Sequence, residues 1–407
     1  MTRRNNIYRL AALLYIGLIC INVHAQQDLD VILKAKAYIQ AGHPSQAIGI
    51  LTDAIRLNEN SQLFVERGEA CLSGKDYSGA IRDFNQANNL TEHSGDYGLA
   101  RVYAFKGDVN TSLYHLGRHL SSGFRKSEKE VMLEPAFEVL ENRSEWRQFW
   151  KKDWYSFAEK SVSEIEFLAS KGDVEECRSV LSELKKNYPA SEEVTYAEAM
   201  INLSESKYNE AVSASLRLTA ADPGNEKYLR LLAKAQSGQS NPAGASSTYT
   251  KLLDNGTADA QLFLLRAECY RKTKETDKAL QDIEKYLELY PENKGAISLA
   301  GKTEAESGDN LKAIEYFNKN LKLHPNDADC YIDRGNSYFV AKSWEWAVKD
   351  YSMSLDLQPG NAETWLNKGV ALLSSGNIKD ACHDFKRSFN LGNQKASSYI
   401  SKNCMSQ

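Results

Sequence analysis

A step of 34 residues runs through most of the chain and limits its fold more than any other feature. Pro189 and Pro223 are 34 apart, as are Pro291, Pro325 and Pro359 in turn, and two such steps separate Pro223 from Pro291. Small residues keep the same step at Cys177, Ala211, Ala245, Ala279, Ala313, Ala347 and Ala381, each 12 before the proline or its stand-in (Thr257, Asn393). A third small series, Ala199, Ala233, Ala267, Gly301, Gly335 and Gly369, lies 12 residues earlier again. A period in the range of roughly 20–50 residues means stacked modules, each unable to bury its apolar face alone.

Helix formers dominate the composition, so the modules are expected to be helical. Gly (24) and Pro (8) among 407 residues are too few for collagen-like or low-complexity sequence, and 42% hydrophobic residues exclude a disordered chain. The net charge of -4, from 50 Lys+Arg against 54 Asp+Glu, argues against a surface built to hold nucleic-acid phosphates.

A 34-residue helical unit with these marks resembles the tetratricopeptide repeat family. Tyr331 to Pro359 shows it best: Gly335 and Tyr338 on a first helix, Trp344, Ala347, Tyr351 and Ser354 on a second, and Pro359 closing the unit. Two helices cross closely where a small residue lies at each contact, which accounts for Gly335 and Ala347. The rings of Tyr338 and Tyr351 are expected to fill the layer between successive repeats. Pro359 cannot continue a helix and sets the turn into the next unit. Weaker copies begin at Ala35, Gly68 and Ala100, and Ile165 to Pro189 opens a long second run. The resemblance implies an all-α, right-handed superhelical solenoid of about ten helix-turn-helix units in two arrays, with a C-terminal capping helix. The expected divisions are an N-terminal array at 26–121, a connector at 122–155, a second array at 156–393, and a cap and tail at 394–407. The register breaks only in the connector, where Trp146, Trp150 and Trp154 recur every four residues. Such a spacing puts them on one helical stripe, either a packed elbow joining two arrays or an exposed aromatic grip for a partner.

The first 25 residues read as an address. Arg3, Arg4 and Arg9 precede the apolar run Leu10 to Val23, and Ala25 offers a cleavage site for a signal peptide. An uncut signal anchor is the alternative. A lipid on Cys20 is disfavoured because Ile19 stands where a small residue is needed. No later apolar run reaches membrane-spanning length. The chain is therefore expected to be exported, to the periplasm or outside the cell.

Motifs for catalysis, cofactors or metals are missing or fail on inspection. Gly301-Lys302-Thr303 looks like the end of a phosphate loop, but Ala296 stands where that loop needs its first glycine, and the triplet falls mid-helix. His115 and His119 lie one helical turn apart without an evident third ligand, and read as surface histidines. No nucleophile elbow, dinucleotide loop or Cys-x-x-Cys pair is present.

The resemblance further implies that first helices line a concave groove. Asn336 and Asn367 match two positions of a clamp that grips a peptide's terminal carboxylate in some family members. Ile332 replaces a lysine of that clamp, so the clamp is expected to be absent and both asparagines to bond between repeats. Among the groove positions, Ile332, Phe339, Val340, Leu366, Val370 and Leu373 form an apolar set. Glu268, Arg271, Lys272, Lys302 and Glu306 continue it with charge. Such a set either binds an apolar peptide or amphipathic helix, or packs neighbouring first helices together. The implied function is a non-enzymatic scaffold in the bacterial envelope that holds protein or peptide partners, with no cofactor and no nucleic acid. A regulatory subunit of an envelope enzyme or assembly machine is the alternative, and the sequon at Asn110 leaves a eukaryotic secreted protein open. The ending resembles that of other exported bacterial tetratricopeptide proteins, which implies a Cys382–Cys404 disulfide pinning the cap helix. Two free thiols in and beside the packed end are the alternative.

Overall fold

The computed structural model describes residues 27–404, and the segment read as a signal peptide, Cys20 included, lies outside them. Every described element is helical. Ten antiparallel pairs follow one another, from 27–40 with Pro44–Leu57 to Ala362–Ser374 with Ile378–Asn390, and Ala396–Asn403 forms the final single helix. Pairs four to ten keep the 34-residue step, pairs one to three step by 33 and 32 residues, and they are taken in order as repeats one to ten.

Helix starts are set by short polar side chains. Asn60, Asp76, Asn225, Asn293, Asp309, Asp327 and Asn361 each accept a hydrogen bond from a free N–H of the first turn. The turn inside every repeat places one residue in the left-handed region. It is glycine in repeats one, three, four, eight and ten (Gly42, Gly107, Gly172, Gly308, Gly376). In the others it is Lys75, Ser206, Ser240, Lys274 or Lys342, at φ of 58° to 62°.

Small residues meet rings inside repeats. A Cβ added to Gly335 would lie 2.8 Å from the Tyr351 ring, and one on Gly301 or Gly369 would lie 2.5 or 2.6 Å from Phe317 or Phe385. Tyr351 therefore fills its own repeat's crossing as well as sharing a cluster with Ala371 of repeat ten. Tyr338 stacks on Trp346 within repeat nine. The rings thus pack between repeats as expected, and Tyr351 also fills the ring-sized gap that the helix crossing leaves over Gly335.

A second regularity crosses the same helix pairs. Arg67 pairs with Asp83, Arg266 with Asp282, Arg334 with Asp350, and Lys368 with Asp384, at 2.6, 2.7, 2.7 and 3.3 Å. Each cation sits 16 residues before its carboxylate, in repeats two, seven, nine and ten, and each carboxylate is buried. The arginines make two bonds to their aspartates in fork geometry.

The described residues form two compact units, which part between Ala260 and Gln261, after repeat six. The connector packs into the first unit. Phe137, Leu140 and Trp146 share a buried cluster with Ala100, Leu116 and Leu120 of repeat three, and the Tyr155 hydroxyl donates to the Lys126 carbonyl at 2.7 Å. The tryptophans do not form one helical stripe. Helix Ser144–Phe149 stops before Trp150, and Trp154 folds back so that its indole N–H donates to the Phe149 carbonyl at 3.0 Å. That bond satisfies an end carbonyl the helix leaves unpaired. Trp146 is buried and its two companions are half-buried, as in a packed elbow.

Candidate functional site

First helices of the second unit carry the charged positions singled out by the sequence, and those charges are committed to one another. Arg271 donates to both oxygens of Glu268, at 2.9 and 2.7 Å, and also to Glu306 of the next repeat. Lys272 lies 3.8 Å from Glu268, and Lys302 lies 3.2 Å from Asp333 of repeat nine. Burial opposes ionisation of Glu268, but the Arg271 hydrogen bonds outweigh it and hold the carboxyl below its ordinary range. The charged continuation is thus a ladder of ion pairs between repeats.

Beyond the ladder the same unit opens into a cleft of about 480 Å³, lined by repeats nine and ten and the cap. Phe339, Leu366 and Val370 supply its apolar lining, and Asn336, Asn367 and Tyr399 much of its polar edge. The Tyr351 hydroxyl donates to Asn336 Oδ1 at 2.8 Å, so this asparagine bonds inside its own repeat and not between repeats. Asn367 makes no side-chain hydrogen bond among the described residues. Glu363 closes one edge, accepting from Asn393 at 2.8 Å and facing Lys395 at 3.5 Å.

The apolar set divides between binding and packing. Leu366 is buried, and Ile332 and Phe339 pack on the cluster of Ala347, Tyr351 and Ala371. Leu373 and Val370 pack on the cap cluster with Tyr399 and Ile400. Val340 is exposed and does not line the cleft. The cap contributions of Lys395, Ser398 and Tyr399 are invisible to a reading based on the repeat, because the cap has no counterpart in it. Cys382 and Cys404 form a disulfide with their Cα atoms 5.7 Å apart, tying the cap to repeat ten.

His115 and His119 are not surface residues. His115 Nδ1 lies 2.8 Å from Asp96, a fully buried carboxylate that His93 and Arg118 also contact, at 2.8 and 2.9 Å. Burial opposes ionisation of Asp96, yet hydrogen bonds from His115, His93 and Arg118 hold its carboxyl well below the usual range. His119 lies under the connector, where the Lys126 backbone N–H donates to its Nε2 at 3.0 Å. Burial, with nearby Lys126, pushes its pKa down to about 4. The connector covers His119, while the His115 ring stacks on Tyr103 of its own repeat. Gly301-Lys302-Thr303 lies inside helix Lys294–Ser307, with the Thr303 hydroxyl donating to the Leu299 carbonyl. No group of three or more metal-ligating side chains is assembled among the described residues. None of the described helices is long and apolar enough to cross a membrane.

Residues 32–88 and 230–294 match the tetratricopeptide repeat family model. These matches and the ten helix pairs support a tetratricopeptide repeat protein. No curated protein is significantly similar to it in sequence. Among solved structures, a tetratricopeptide repeat protein from Parabacteroides merdae is 20% identical, covering 61% of this chain and 99% of its own, with a TM-score of 0.47. The C-terminal part of a repeat protein from Cytophaga hutchinsonii is 16% identical, covering 58% and 98%, with a TM-score of 0.48. YrrB, described as having an unusual peptide-binding site, is 17% identical over 47% of this chain and 100% of its own, at a TM-score of 0.38. Likenesses at this level carry no functional argument.

Proposed function

We propose that the chain is a non-enzymatic interaction scaffold, taking a short peptide or one face of a partner helix in the cleft of repeats nine and ten and the cap. The observation that carries this reading is the cleft itself. Its apolar floor of Phe339, Leu366 and Val370 is flanked by the uncommitted amide of Asn367. An extended peptide has backbone groups that an amide can pair in both senses, donating and accepting. In the ladder of repeats seven to nine the charges are instead paired with one another. Export is part of the proposal. The arginine-led apolar first 25 residues and a disulfide suited to an oxidising compartment support it.

Affinity capture with quantitative mass spectrometry tests the reading. Asn367→Arg and Val370→Arg fill the cleft with bulk and charge, while Lys272→Ala changes the ladder outside it. Proteins retained by the wild type and by Lys272→Ala are expected to be lost from both cleft variants. Equal retention by all four proteins would sink the proposal.

A further inference from the structure

The first unit has a cleft of its own, at the N-terminal ends of the first helices of repeats four to six. Its volume is about 240 Å³, below the roughly 300–1,000 Å³ of pockets that hold drug-sized ligands, and so on the scale of one side chain. Three tyrosines line it: Tyr155 from the connector, Tyr196 from repeat five and Tyr228 from repeat six. The Tyr196 and Tyr228 rings lie 5.9 Å apart. Their hydroxyls point away to Glu166 and Glu192, each at 2.9 Å, which fixes both rings in place.

The charges around these rings do not balance. Arg125 pairs with Glu159, Lys126 with Glu130 at 3.2 Å, and Lys227 lies 3.8 Å from Glu166. Those three pairs use the three cations at the cleft. Glu193, which lines the cleft, and Glu192, which accepts from the Tyr228 hydroxyl, have no cationic partner among the described residues. An aromatic slot with surplus negative charge attracts a cation that carries an apolar or planar body, since ring faces and carboxylates act in the same direction.

We infer that this cleft takes one basic side chain, arginine or lysine, from a protein partner. The site is separate from the cleft in the second unit, and each stands or falls without the other. Arginine suits the slot better than lysine, because its planar guanidinium stacks on a ring while donating to a carboxylate.

The probe is an acetylated and amidated Gly-Arg-Gly-Arg-Gly peptide, titrated into the full chain by calorimetry, with Gly-Glu-Gly-Glu-Gly as its counterpart. Saturable binding of the arginine peptide alone is expected. Glu192→Gln with Glu193→Gln should weaken it about tenfold, and Tyr228→Ala should weaken it at least as much. Glu315→Gln with Glu345→Gln removes two exposed carboxylates from the second unit and should leave affinity unchanged. Circular dichroism and melting curves establish that each variant is folded, and Asn367→Arg should bind the peptide as the wild type does. The inference is overturned if neither peptide binds saturably, if both bind alike, or if the two glutamate double variants weaken binding equally.

Discussion

Removing the Arg334 guanidinium, as in Arg334→Met, strands a carboxylate in the interior of repeat nine. Asp350 is 2% exposed and receives both of its bonds from Arg334, each at 2.7 Å. The same guanidinium donates to Asn318 of repeat eight at 2.6 Å and lies against the Tyr331 and Tyr338 rings, at 5.6 and 5.9 Å. Methionine keeps much of the ring contact and none of the hydrogen bonds. Breaking a buried pair by deleting one partner costs about 3–5 kcal/mol, and the guanidinium's 18% exposure puts this case near the lower end. Replacing both partners, as in Arg334→Met with Asp350→Leu, removes the stranded charge and should recover most of the loss. The double-mutant cycle should therefore return a coupling of about 2–3 kcal/mol. Denaturant unfolding gives the stabilities, and hydrogen exchange locates the loss, which should centre on repeats eight to ten. A single variant costing under about 1 kcal/mol, or a double variant equal to the sum of the singles, would refute the reasoning.

His119 makes the first unit sensitive to acid. Its folded pKa of about 4 lies below the ordinary 6.5, so between those values the unfolded chain binds a proton that the folded chain refuses. Stability contributed by the neutral ring is present above pH 6.5 and is lost as pH falls, by about 3 kcal/mol once pH 4 is reached. His119→Gln keeps an acceptor for the Lys126 N–H and should flatten that part of the profile; identical melting profiles from pH 7 to 4.5 would contradict the assignment. Lys342 holds a left-handed turn at φ 58° that five other repeats give to glycine. Lys342→Gly should raise stability by about 0.5–1 kcal/mol, the relief of strain less the added freedom of the unfolded chain, and a lower melting temperature would show the turn to be unstrained.

The 34-residue step was enough to place ten helix pairs, because small residues at crossings and breakers at turns are local demands. What it missed followed from geometry across helices. The step of 16 from Arg334 to Asp350 is present in the sequence, but it matters only once the two helices are known to face each other. His119 occupies the repeat position of Ala87, Leu218, Ser354 and Ser388, all buried, so the register itself held the signal that its chemistry obscured. The two clefts were hardest to foresee. Lys395 and Tyr399 come from the cap and Tyr155 from the connector, the segments where the repeat fails and no register assigns a face.

The cation–aspartate clip joins the two helices of repeats two, seven, nine and ten, and the other six repeats have no such pair at those positions. Under a pulling force the chain would not yield evenly. Because each repeat is held only by its own two helices and its neighbours, resistance is set locally. Repeats four to six, three unclipped modules in succession, would part at lower force than the clipped pair nine and ten, which the disulfide also ties to the last helix. A protein built this way gives at its middle while its final turns hold.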